Sequence, residues 1–392
     1  MTVHDYEALA ARFRPVFDRI AAGAVERERR RRLPFEEVGW LREAGLGAVR
    51  VPVESGGSGA GLDDLFRLLA ELGEADSNLP QLLRPHFLFV EEQLRQPPAA
   101  VRDEWLRAVA GGVLFGNAIS ERESHQVGRS NTTLSERDGR LLLNGTKFYS
   151  TGSLLADWIT VRAERAPGEL VVARVPAGAA GLVQRDDWNG FGQRTTASGT
   201  VEFTDVEVDP AHVTVWDRDP GVHTALAQLV LLAALVGVAR SAARDAAEFV
   251  RDRRRSYSHA SAPLPKDDPL VQQVVGKIHS AAFAAQATLE AAVGSVRRAL
   301  QGSRAEVVAA EVDVSKAQVV IADLVLRAVT EVFDVGGSSV VSQEKLLDRH
   351  WRNARTLTVH NPLVYKARAV GDHVINDSLP VFAWTTGSPG PA

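Results

Sequence analysis

The sequence of 392 residues contains no cysteine. Disulfide frameworks, zinc sites built from thiolates and cysteine nucleophiles are therefore excluded, and a reducing cytoplasm is the expected compartment. Basic residues are not in excess either, because 45 lysines and arginines stand against 49 aspartates and glutamates, for a formal charge of −4. Since nucleic-acid binding needs a concentrated basic face, this balance argues against a nucleic-acid partner.

Long apolar runs and several familiar motifs are also missing. The longest apolar run, 225–239, is shorter than the roughly 20 residues that cross a membrane, so we expect a buried helix and no membrane partner. The N-terminal stretch MTVHDYEALAARFRP carries acidic residues and no apolar centre, which argues against a signal peptide. The sequence contains no metal-ligand cluster, no G-x-S-x-G motif and no G-x-G-x-x-G motif after a strand.

Hydrophobic residues make up 45% of the chain, which at this length is enough for two or three domains. The periodicity predicts an α+β protein in four segments: an N-terminal α-helical domain (1–112), a central β domain (113–212), a C-terminal helical bundle (213–380) and a tail (381–392). A glycine-rich loop between Gly45 and Gly61 interrupts the N-terminal helices.

The central segment alternates with a period of two, which is typical of strands. Seven short runs show the pattern: 113–119, 131–136, 140–147, 158–163, 170–175, 181–187 and 200–208. Their spacing favours a barrel or a sandwich over a parallel sheet. Asn144-Gly145 predicts a tight hairpin turn, and the following stretch 149–152 places hydroxyl groups at a strand end.

The C-terminal segment predicts a helical bundle. Its helices are expected over 221–255, 268–301, 304–335, 342–354 and 363–376. Ser303 and Glu306 fit a capping box at the start of the third helix, because each side chain can bond a free amide near the other residue. Three long antiparallel helices with a shorter fourth are typical of such bundles.

This order of helices, strands and helices resembles the acyl-CoA dehydrogenase fold, and three motifs carry the resemblance further. The segment 144–158 resembles the family's N-G-x-K, W-x-T and A-x-W motifs, Ile119-Ser120-Glu121 resembles V-T-E, and 333–337 resembles a Gly-Gly turn. The resemblance implies that Thr151 faces N5 of a flavin and that Ser120 contacts its pyrimidine ring. It also implies that Gly336, Gly337 and Ser338 approach the cofactor of a neighbouring subunit in a homo-oligomer, expected to be a tetramer.

Two departures from the family pattern bear on the chemistry. Aligning Arg352-Asn353-Ala354 with the family's R-D-A motif places Asn361 where E-G-T supplies the carboxylate that removes an α-proton. An amide cannot accept that proton, so the base is absent at this position. The family's P-x-x-G-S-D is replaced by Arg122-Glu123-Ser124-His125, which removes part of the usual acyl-CoA contact.

A second branch of the fold matches these departures better. The blocks 115–121, 186–200 and 352–362 resemble the two-component flavin-dependent monooxygenases, the branch that includes dibenzothiophene and dimethylsulfone monooxygenases. The resemblance implies reduced FMN, with FAD as the alternative, delivered by a separate NAD(P)H:flavin reductase. In that branch the reduced flavin reacts with O2 to form a C4a-hydroperoxide, which transfers one oxygen atom to sulfur, nitrogen or carbon of a small molecule.

Oxygen transfer requires a dry site with a hydrogen-bond donor that works near neutral pH. His360 is the first candidate, with Thr151 as its partner. The resemblance adds His86 on the substrate side, and Asn117 is a further candidate contact. Leu357 stands where relatives often carry a second histidine. The same residues also have ordinary explanations, since a single histidine is more often a satisfied core or surface residue.

Further candidates would hold the cofactor. We expect Ser150 to assist Ser120 and Thr151, Trp188 to cover the ring, and Arg254 or Arg255 to bind the phosphate through a bidentate guanidinium. The ordinary alternatives are a solvated helix end for the two arginines, a helix cap for Gly336-Gly337 and a plain core role for Trp188.

Three hypotheses of different classes follow. The first is a reduced-flavin monooxygenase, the second is an FAD-dependent acyl-CoA dehydrogenase with a carboxylate relocated to the helix 240–248, and the third is a flavin-binding homologue without turnover. The substrate pocket is expected to involve the segments 79–92, 122–130 and 255–268, the last of them as a lid.

Overall fold

The computed structural model describes residues 6–122, 128–217, 219 and 221–382. Five helices form the N-terminal part: α1 (Tyr6–Arg30), α2 (Phe35–Glu43), α3 (Leu62–Ala75), α4 (Asn78–Arg95) and α5 (Ala100–Ala110). The stretch between α2 and α3 contains only two short 3-10 turns, as its glycines predicted. The helix α4 begins next to Asp76, whose carboxylate accepts a hydrogen bond from the backbone N–H of Asn78 at 3.1 Å.

Eight strands form the central part, one more than predicted. They are β1 (Phe115–Ala118), β2 (Thr133–Arg137), β3 (Arg140–Lys147), β4 (Trp158–Ala166), β5 (Glu169–Pro176), β6 (Leu182–Gln184), β7 (Val201–Val208) and β8 (Val213–Val215). The strand order is β6-β7-β3-β2-β4-β5-β8, with β1 paired to β4 beside this path. The pairs that β1 and β2 form with β4 are parallel and all others are antiparallel. The strands thus form one sheet, and no pairing between β6 and β8 closes it among the described residues.

The predicted hairpin at Asn144-Gly145 is wrong. Both residues lie inside β3, where the register with β7 shifts between Leu143 and Gly145. The Asn144 side chain exchanges two hydrogen bonds with Asp205, one of 3.0 Å and one of 2.9 Å, which anchors the bulge. The tight turn is Asp138-Gly139, because both residues have the positive φ that a two-residue hairpin needs, 52° and 71°.

Five helices form the C-terminal part: α6 (His223–Asp252), α7 (Pro269–Ala299), α8 (Arg304–Glu331), α9 (Asp348–Thr358) and α10 (Leu363–Asn376). The capping box at Ser303 and Glu306 is confirmed. The helix predicted from 342 begins only at Asp348, because turns occupy the residues before it. The predicted tail falls mostly on residues 383–392, which lie outside the described part of the chain.

One continuous hydrophobic core joins the N-terminal and C-terminal helices, with α6 at its centre. Gly237 of α6 packs so closely against Gly73 of α3 that a side chain at either position would meet backbone. The sheet has a separate core made by side chains such as Val161, Val171 and Phe203. By length and composition α6 could cross a membrane, but most of its apolar window is buried in this core. The predicted segment boundaries stay a prediction, and the structure adds that the two helical segments pack as one unit.

Candidate active site

A turn after β3 gathers four of the predicted site residues. Phe148 donates its backbone N–H to the Ser120 carbonyl at 2.9 Å, and Asn117 donates its backbone N–H to the Thr151 carbonyl at 3.5 Å. Both bonds arise because the turn passes beside the end of β1. The structure therefore brings together Asn117, Ser120, Ser150 and Thr151.

Two polar atoms in this group have no hydrogen-bond partner among the described residues. They are the Ser150 hydroxyl and the Asn117 side-chain oxygen, and both are buried. Buried polar atoms in native proteins are nearly always hydrogen-bonded, so such atoms point to a bound partner such as water or a ligand. A polar cofactor edge placed against this turn would satisfy them.

The Thr151 hydroxyl belongs to a chain of hydroxyl groups with a defined direction. Thr196 donates to the Gln193 carbonyl at 2.9 Å, so its 2.8 Å bond to Ser198 must be donated by Ser198. Ser198 then has no proton left for Thr151, so the Thr151 hydroxyl donates, to Ser198 at 2.9 Å or to the Tyr149 carbonyl at 3.4 Å. Because a hydroxyl has one proton, the Thr151 oxygen is left as an acceptor for any further partner.

Two aromatic rings flank the same turn. Trp188 is half-buried, and its indole N–H donates to the Gln193 carbonyl at 2.9 Å. Its ring lies 5.9 Å from that of Tyr149, which is 52% exposed. The Gln193 segment is tied in turn to α9 by a 2.6 Å bond from its backbone N–H to Asn353. Trp188 is thus held beside the turn and open to solvent on one side.

The motif residues Glu121 and Lys147 form a buried ion pair beneath the turn. The Lys147 ammonium donates to Glu121 at 2.6 Å and to the Ser130 hydroxyl at 3.0 Å, and its side chain has no solvent exposure. Burial alone would raise the pKa of Glu121, but Lys147 and several hydrogen bonds lower it to about 2. Burial lowers the pKa of Lys147 to about 8 against the attraction of Glu121. These residues hold β3 against the end of β1.

His360 lies in the linker between α9 and α10. The Arg84 guanidinium donates to His360 Nε2 at 2.9 Å, which requires that nitrogen to be unprotonated and places the ring proton on Nδ1. The Asn361 amide nitrogen donates to Gln228 Oε1 at 2.8 Å; it lies 3.3 Å from His360 Nδ1 but cannot donate to that nitrogen while it carries the proton. His360 is exposed to solvent as a residue, but the protein packed around its ring and then Arg84 hold its pKa below the ordinary value. His360 is therefore neutral at physiological pH.

The predicted partnership of His360 with Thr151 is not a direct contact. Thr151 is hydrogen-bonded to Ser198, whereas His360 is hydrogen-bonded to Arg84. Both groups adjoin α4, since a side chain at Gly152 would run into the Leu82 carbonyl. The structure places the two candidates in separate polar clusters, both next to α4.

His86 is fully buried and has no free ring nitrogen. Its Nε2 lies 2.9 Å from the Gly47 carbonyl, to which it donates, and Nδ1 accepts from the backbone N–H of Phe115 at 3.4 Å. Burial lowers its pKa to about 4. Residues two apart in a helix lie about 200° apart around its axis, so His86 and Arg84 face different sides of α4. In this arrangement His86 ties a loop to β1 and presents no donor to a substrate.

Arg84 is the site residue that sequence reasoning missed. It is 8% exposed, no carboxylate among the described residues forms an ion pair with it, and its Nε has no hydrogen-bond partner. Burial lowers its pKa to about 10, so it stays charged near neutral pH. The available signal was a single arginine inside the apolar run of α4, LLRPHFLFV.

The predicted phosphate residues gather at the far end of α6. Arg254 and Arg255 are exposed just beyond Asp252, the last residue of the helix. Their neighbour Arg253 makes the contact instead, donating to the Gly336 carbonyl and to Ser339 at 3.0 Å.

The Gly-Gly turn packs against the same helix end. Gly337 has a φ of +58°, and a side chain there would run into the Tyr257 hydroxyl. Ser338 beside it is exposed. The expected lid segment, of which Tyr257 is part, therefore lies next to this turn. Ser124 and His125, in the segment that departs from the acyl-CoA contact motif, lie outside the described residues.

A long distance separates the Gly-Gly turn from the linker that carries His360. Gln228 at the start of α6 contacts Asn361, while Arg253 follows the end of the helix. With a rise of about 1.5 Å per residue, about 25 residues of helix correspond to roughly 37 Å. Within one chain, the Gly-Gly turn and the His360 linker cannot contact the same flavin.

The helix suggested for a relocated carboxylate does not reach His360. Asp245 is bound by His350 at 2.9 Å and by Arg349, and these groups lower its pKa despite its burial. It lies about 25 Å along α6 from Gln228 by the same rise per residue. Glu248 is exposed. Neither carboxylate replaces the missing base beside Asn361.

Models of one family match the chain in three consecutive segments. The acyl-CoA dehydrogenase N-terminal domain matches residues 4–113, the middle domain matches 117–206 and the C-terminal domain matches 229–364. Together they leave little of the sequence unmatched. The chain therefore belongs to the acyl-CoA dehydrogenase family, and the α+β fold expected from the sequence is confirmed.

Individual relatives fall in the monooxygenase branch. The chain is 27% identical over 382 residues to a probable FMNH2-dependent monooxygenase, SfnC, of Pseudomonas putida, covering 94% of each protein. It is 29% identical over 394 residues to dibenzothiophene monooxygenase of Mycolicibacterium goodii, covering 92% of each. The resemblance to this branch seen in the sequence motifs is thus confirmed.

Solved structures agree with this grouping. FMN-bound TdsC of Paenibacillus sp. A11-2 has a TM-score of 0.89 and 28% identity, with 96% of this chain and 99% of that chain covered. Methanesulfinate monooxygenase MsuC of Pseudomonas fluorescens has a TM-score of 0.88 and 26% identity, with 95% and 98% covered.

Proposed function

We propose that the protein is a reduced-FMN-dependent monooxygenase. It transfers one oxygen atom of O2 to sulfur, nitrogen or carbon of a small organic substrate and receives its reduced flavin from a separate reductase. The observation that carries this proposal is the environment of Asn361. An amide stands at the position where the family pattern has the catalytic carboxylate, and it contacts Gln228 and His360, so residue 361 cannot itself remove an α-proton from an acyl thioester. The names of the relatives support the same activity.

The residues of the β3 turn fit a flavin. Asn117 and Ser150 offer buried polar atoms without partners, and Thr151 offers an acceptor whose direction is set by Ser198. A reduced flavin ring carries N–H donors, which an acceptor at Thr151 complements. Ser120 would assist from the end of β1, and Trp188 would cover the ring. When bound, reduced FMN supplies the electrons that activate O2.

His360 and Arg84 serve the other side of the site. The neutral imidazole keeps a proton on Nδ1 and receives one hydrogen bond at Nε2, so it adds no titrating group that could release a stray proton near neutral pH. Excluding free protons and water protects a reactive oxygen species from wasteful breakdown. We assign His360 to holding this site dry and hydrogen-bonded, and we give His86 a structural role beneath it.

A second copy of the chain completes the cofactor site. Because the Gly-Gly turn lies roughly 37 Å along α6 from the His360 linker, Gly336, Gly337 and Ser338 would reach the flavin of a neighbouring subunit, together with Arg254 or Arg255. The bundle surface supports association, since Phe283 of α7 and Ile375 of α10 are 77% and 79% exposed. A cytoplasmic homotetramer is the expected assembly.

The test asks which flavin the protein binds, reduced FMN or FAD, and which reaction it catalyses, O2 consumption or acyl-CoA oxidation. Purified protein should bind photoreduced FMN under anaerobic conditions, and it should consume O2 with an NAD(P)H-dependent flavin reductase present. It should not reduce an artificial electron acceptor when given an acyl-CoA. Stoichiometric FAD in the purified protein, bleached by an acyl-CoA, would establish the dehydrogenase instead. Binding of reduced FMN without faster O2 consumption or product formation with any substrate would indicate a homologue without turnover.

A further inference from the structure

Arg84 differs from most other buried cations among the described residues in having no carboxylate partner. Lys147 pairs with Glu121 at 2.6 Å, and Arg27 pairs with both Glu37 and Asp76 at 2.9 Å. Burying a charge is costly unless a partner compensates it, so proteins rarely leave a buried arginine alone. The described residues give Arg84 only the neutral ring of His360.

Another buried arginine, Arg162, also forms no ion pair but is less isolated. It is attracted by Glu121 across the ion pair, and its guanidinium lies 5.5 Å from the Trp216 ring centroid. Among the described residues, no aromatic ring stacks on Arg84 and no acidic side chain acts on its pKa. Arg84 is therefore a buried cation that an anionic ligand could compensate.

The surroundings of Arg84 are electropositive. His223, at the start of α6, is held neutral by burial and then by Arg95 and Arg84, which lower its pKa to about 4. Arg95 places a guanidinium nitrogen 3.5 Å from His223 Nδ1, and Glu91 and Glu92 of its own helix attract it. The groups shown to act on His223 are thus two cations, Arg95 and Arg84.

The group that contacts Arg84 in the free protein is also the one that can give way. His360 retains solvent contact and lies in a four-residue linker between two helices, 359–362. A hydrogen bond from a guanidinium to a neutral imidazole is weaker than a bidentate bond to a carboxylate or sulfonate. An incoming oxyanion can thus replace His360 on Arg84 without breaking any ion pair.

We propose that Arg84 binds the anionic group of the substrate, and that His360 occupies this guanidinium until the substrate arrives. The substrate class is a small organic oxyanion, such as a sulfinate, sulfonate or carboxylate, with the atom to be oxygenated close to the charged end. This inference rests on the proposed function, because it names the substrate class of the same site.

The test compares two nearly isosteric probes that differ in charge. Binding of methanesulfonate and of neutral dimethyl sulfone would be measured by calorimetry on the intact protein. We expect methanesulfonate to bind about 10-fold or more tightly, as charge-assisted hydrogen bonds imply. In Arg84→Met this preference should vanish, and in Arg84→Lys part of it should remain. The control Arg174→Met removes a buried arginine that is already paired with Glu92 and should keep the preference.

Equal affinity of the unaltered protein for the two probes would overturn the inference, whether or not the variants fold. So would an undiminished preference in Arg84→Met. A third measurement separates the substrate from the cofactor phosphate: if Arg84→Met weakens FMN binding about 10-fold but leaves riboflavin binding unchanged, Arg84 binds the phosphate and our assignment is wrong. Loss of the anion preference with normal binding of reduced FMN supports the inference, and it separates this result from any failure of the proposed function.

Discussion

Lys147 and Arg84 are two buried cations in neighbouring parts of the protein with opposite surroundings. Lys147 lies under the β3 turn, where Glu121 and the Ser130 hydroxyl satisfy its ammonium group. Arg84 lies on α4, and among the residues that the structure describes it donates only to a neutral histidine, with Nε left unpaired. Both side chains are almost free of solvent contact. The first cation is satisfied by the protein itself, whereas the second is satisfied only in part.

The presence or absence of a carboxylate partner separates a buried cation with a structural role from one that binds a ligand. A buried ion pair whose members also have hydrogen bonds holds elements together, and removing one member leaves the other uncompensated. A buried cation without an acid contributes nothing of that kind to the folded state. Since folding gains no ion pair from Arg84, we assign this cation to a ligand.

Breaking the satisfied pair should have the largest effect on stability. Glu121→Gln leaves Lys147 buried without its carboxylate, so we expect the free energy of unfolding to fall by about 3–5 kcal/mol. Denaturant titration followed by circular dichroism measures this loss. The control Glu202→Gln breaks an exposed pair with Arg185 and should cost at most about 1 kcal/mol. A loss for Glu121→Gln no larger than that of the control would show that the pair is not structural.

The Glu121–Lys147 pair should also make the free energy of unfolding depend on pH. The pKa of Glu121 is about 2 in the folded protein and 4.5 in the unfolded chain. Its contribution is therefore complete above pH 4.5 and is lost as the pH falls towards 2, by about 3 kcal/mol in all. Unfolding free energies between pH 6 and pH 3 should decline more steeply in the unaltered protein than in Glu121→Gln. Parallel declines would contradict the assignment.

Removing His360, the partner of Arg84, should lower the yield of product per O2 consumed. His360→Ala removes the ring that is bonded to Arg84 and should let water reach the site. We expect product formed per O2 consumed to fall about 10-fold or more, with peroxide released instead, while stability stays within about 1 kcal/mol of the unaltered protein. Simultaneous assays of O2, product and peroxide measure this ratio. Unchanged coupling would remove His360 from the mechanism.

Removing the charge of Arg84 should have the smallest effect on stability. Arg84→Met replaces an unpaired buried cation with an apolar side chain of similar length, so the free energy of unfolding should change by less than about 1 kcal/mol or should rise. Lys147→Met, the matched change in the satisfied pair, leaves Glu121 uncompensated and should be strongly destabilising. Equal losses in the two variants would mean that Arg84 is as structural as Lys147.

Local sequence patterns predicted much of the fold because their causes are local. The capping box at Ser303 and Glu306 involves residues three apart, and the strands followed from alternation. The hairpin at Asn144-Gly145 failed for a tertiary reason, since Asp205 on β7 binds the Asn144 side chain and keeps β3 continuous. The same dipeptide favours either a turn or a bulge, and the neighbouring strand decides.

The site divides in the same way. Sequence motifs were enough to find the hydroxyl groups at 150–151 and the amide at Asn361, because each motif is contiguous in the chain. They could not show that both nitrogens of His86 bond to backbone, or that Arg84 meets a histidine 276 residues away. Family membership, the order of the elements and the amide at position 361 can be read from the sequence alone. Which buried charges have partners is visible only in the folded protein, because each pair joins segments that folding brings together.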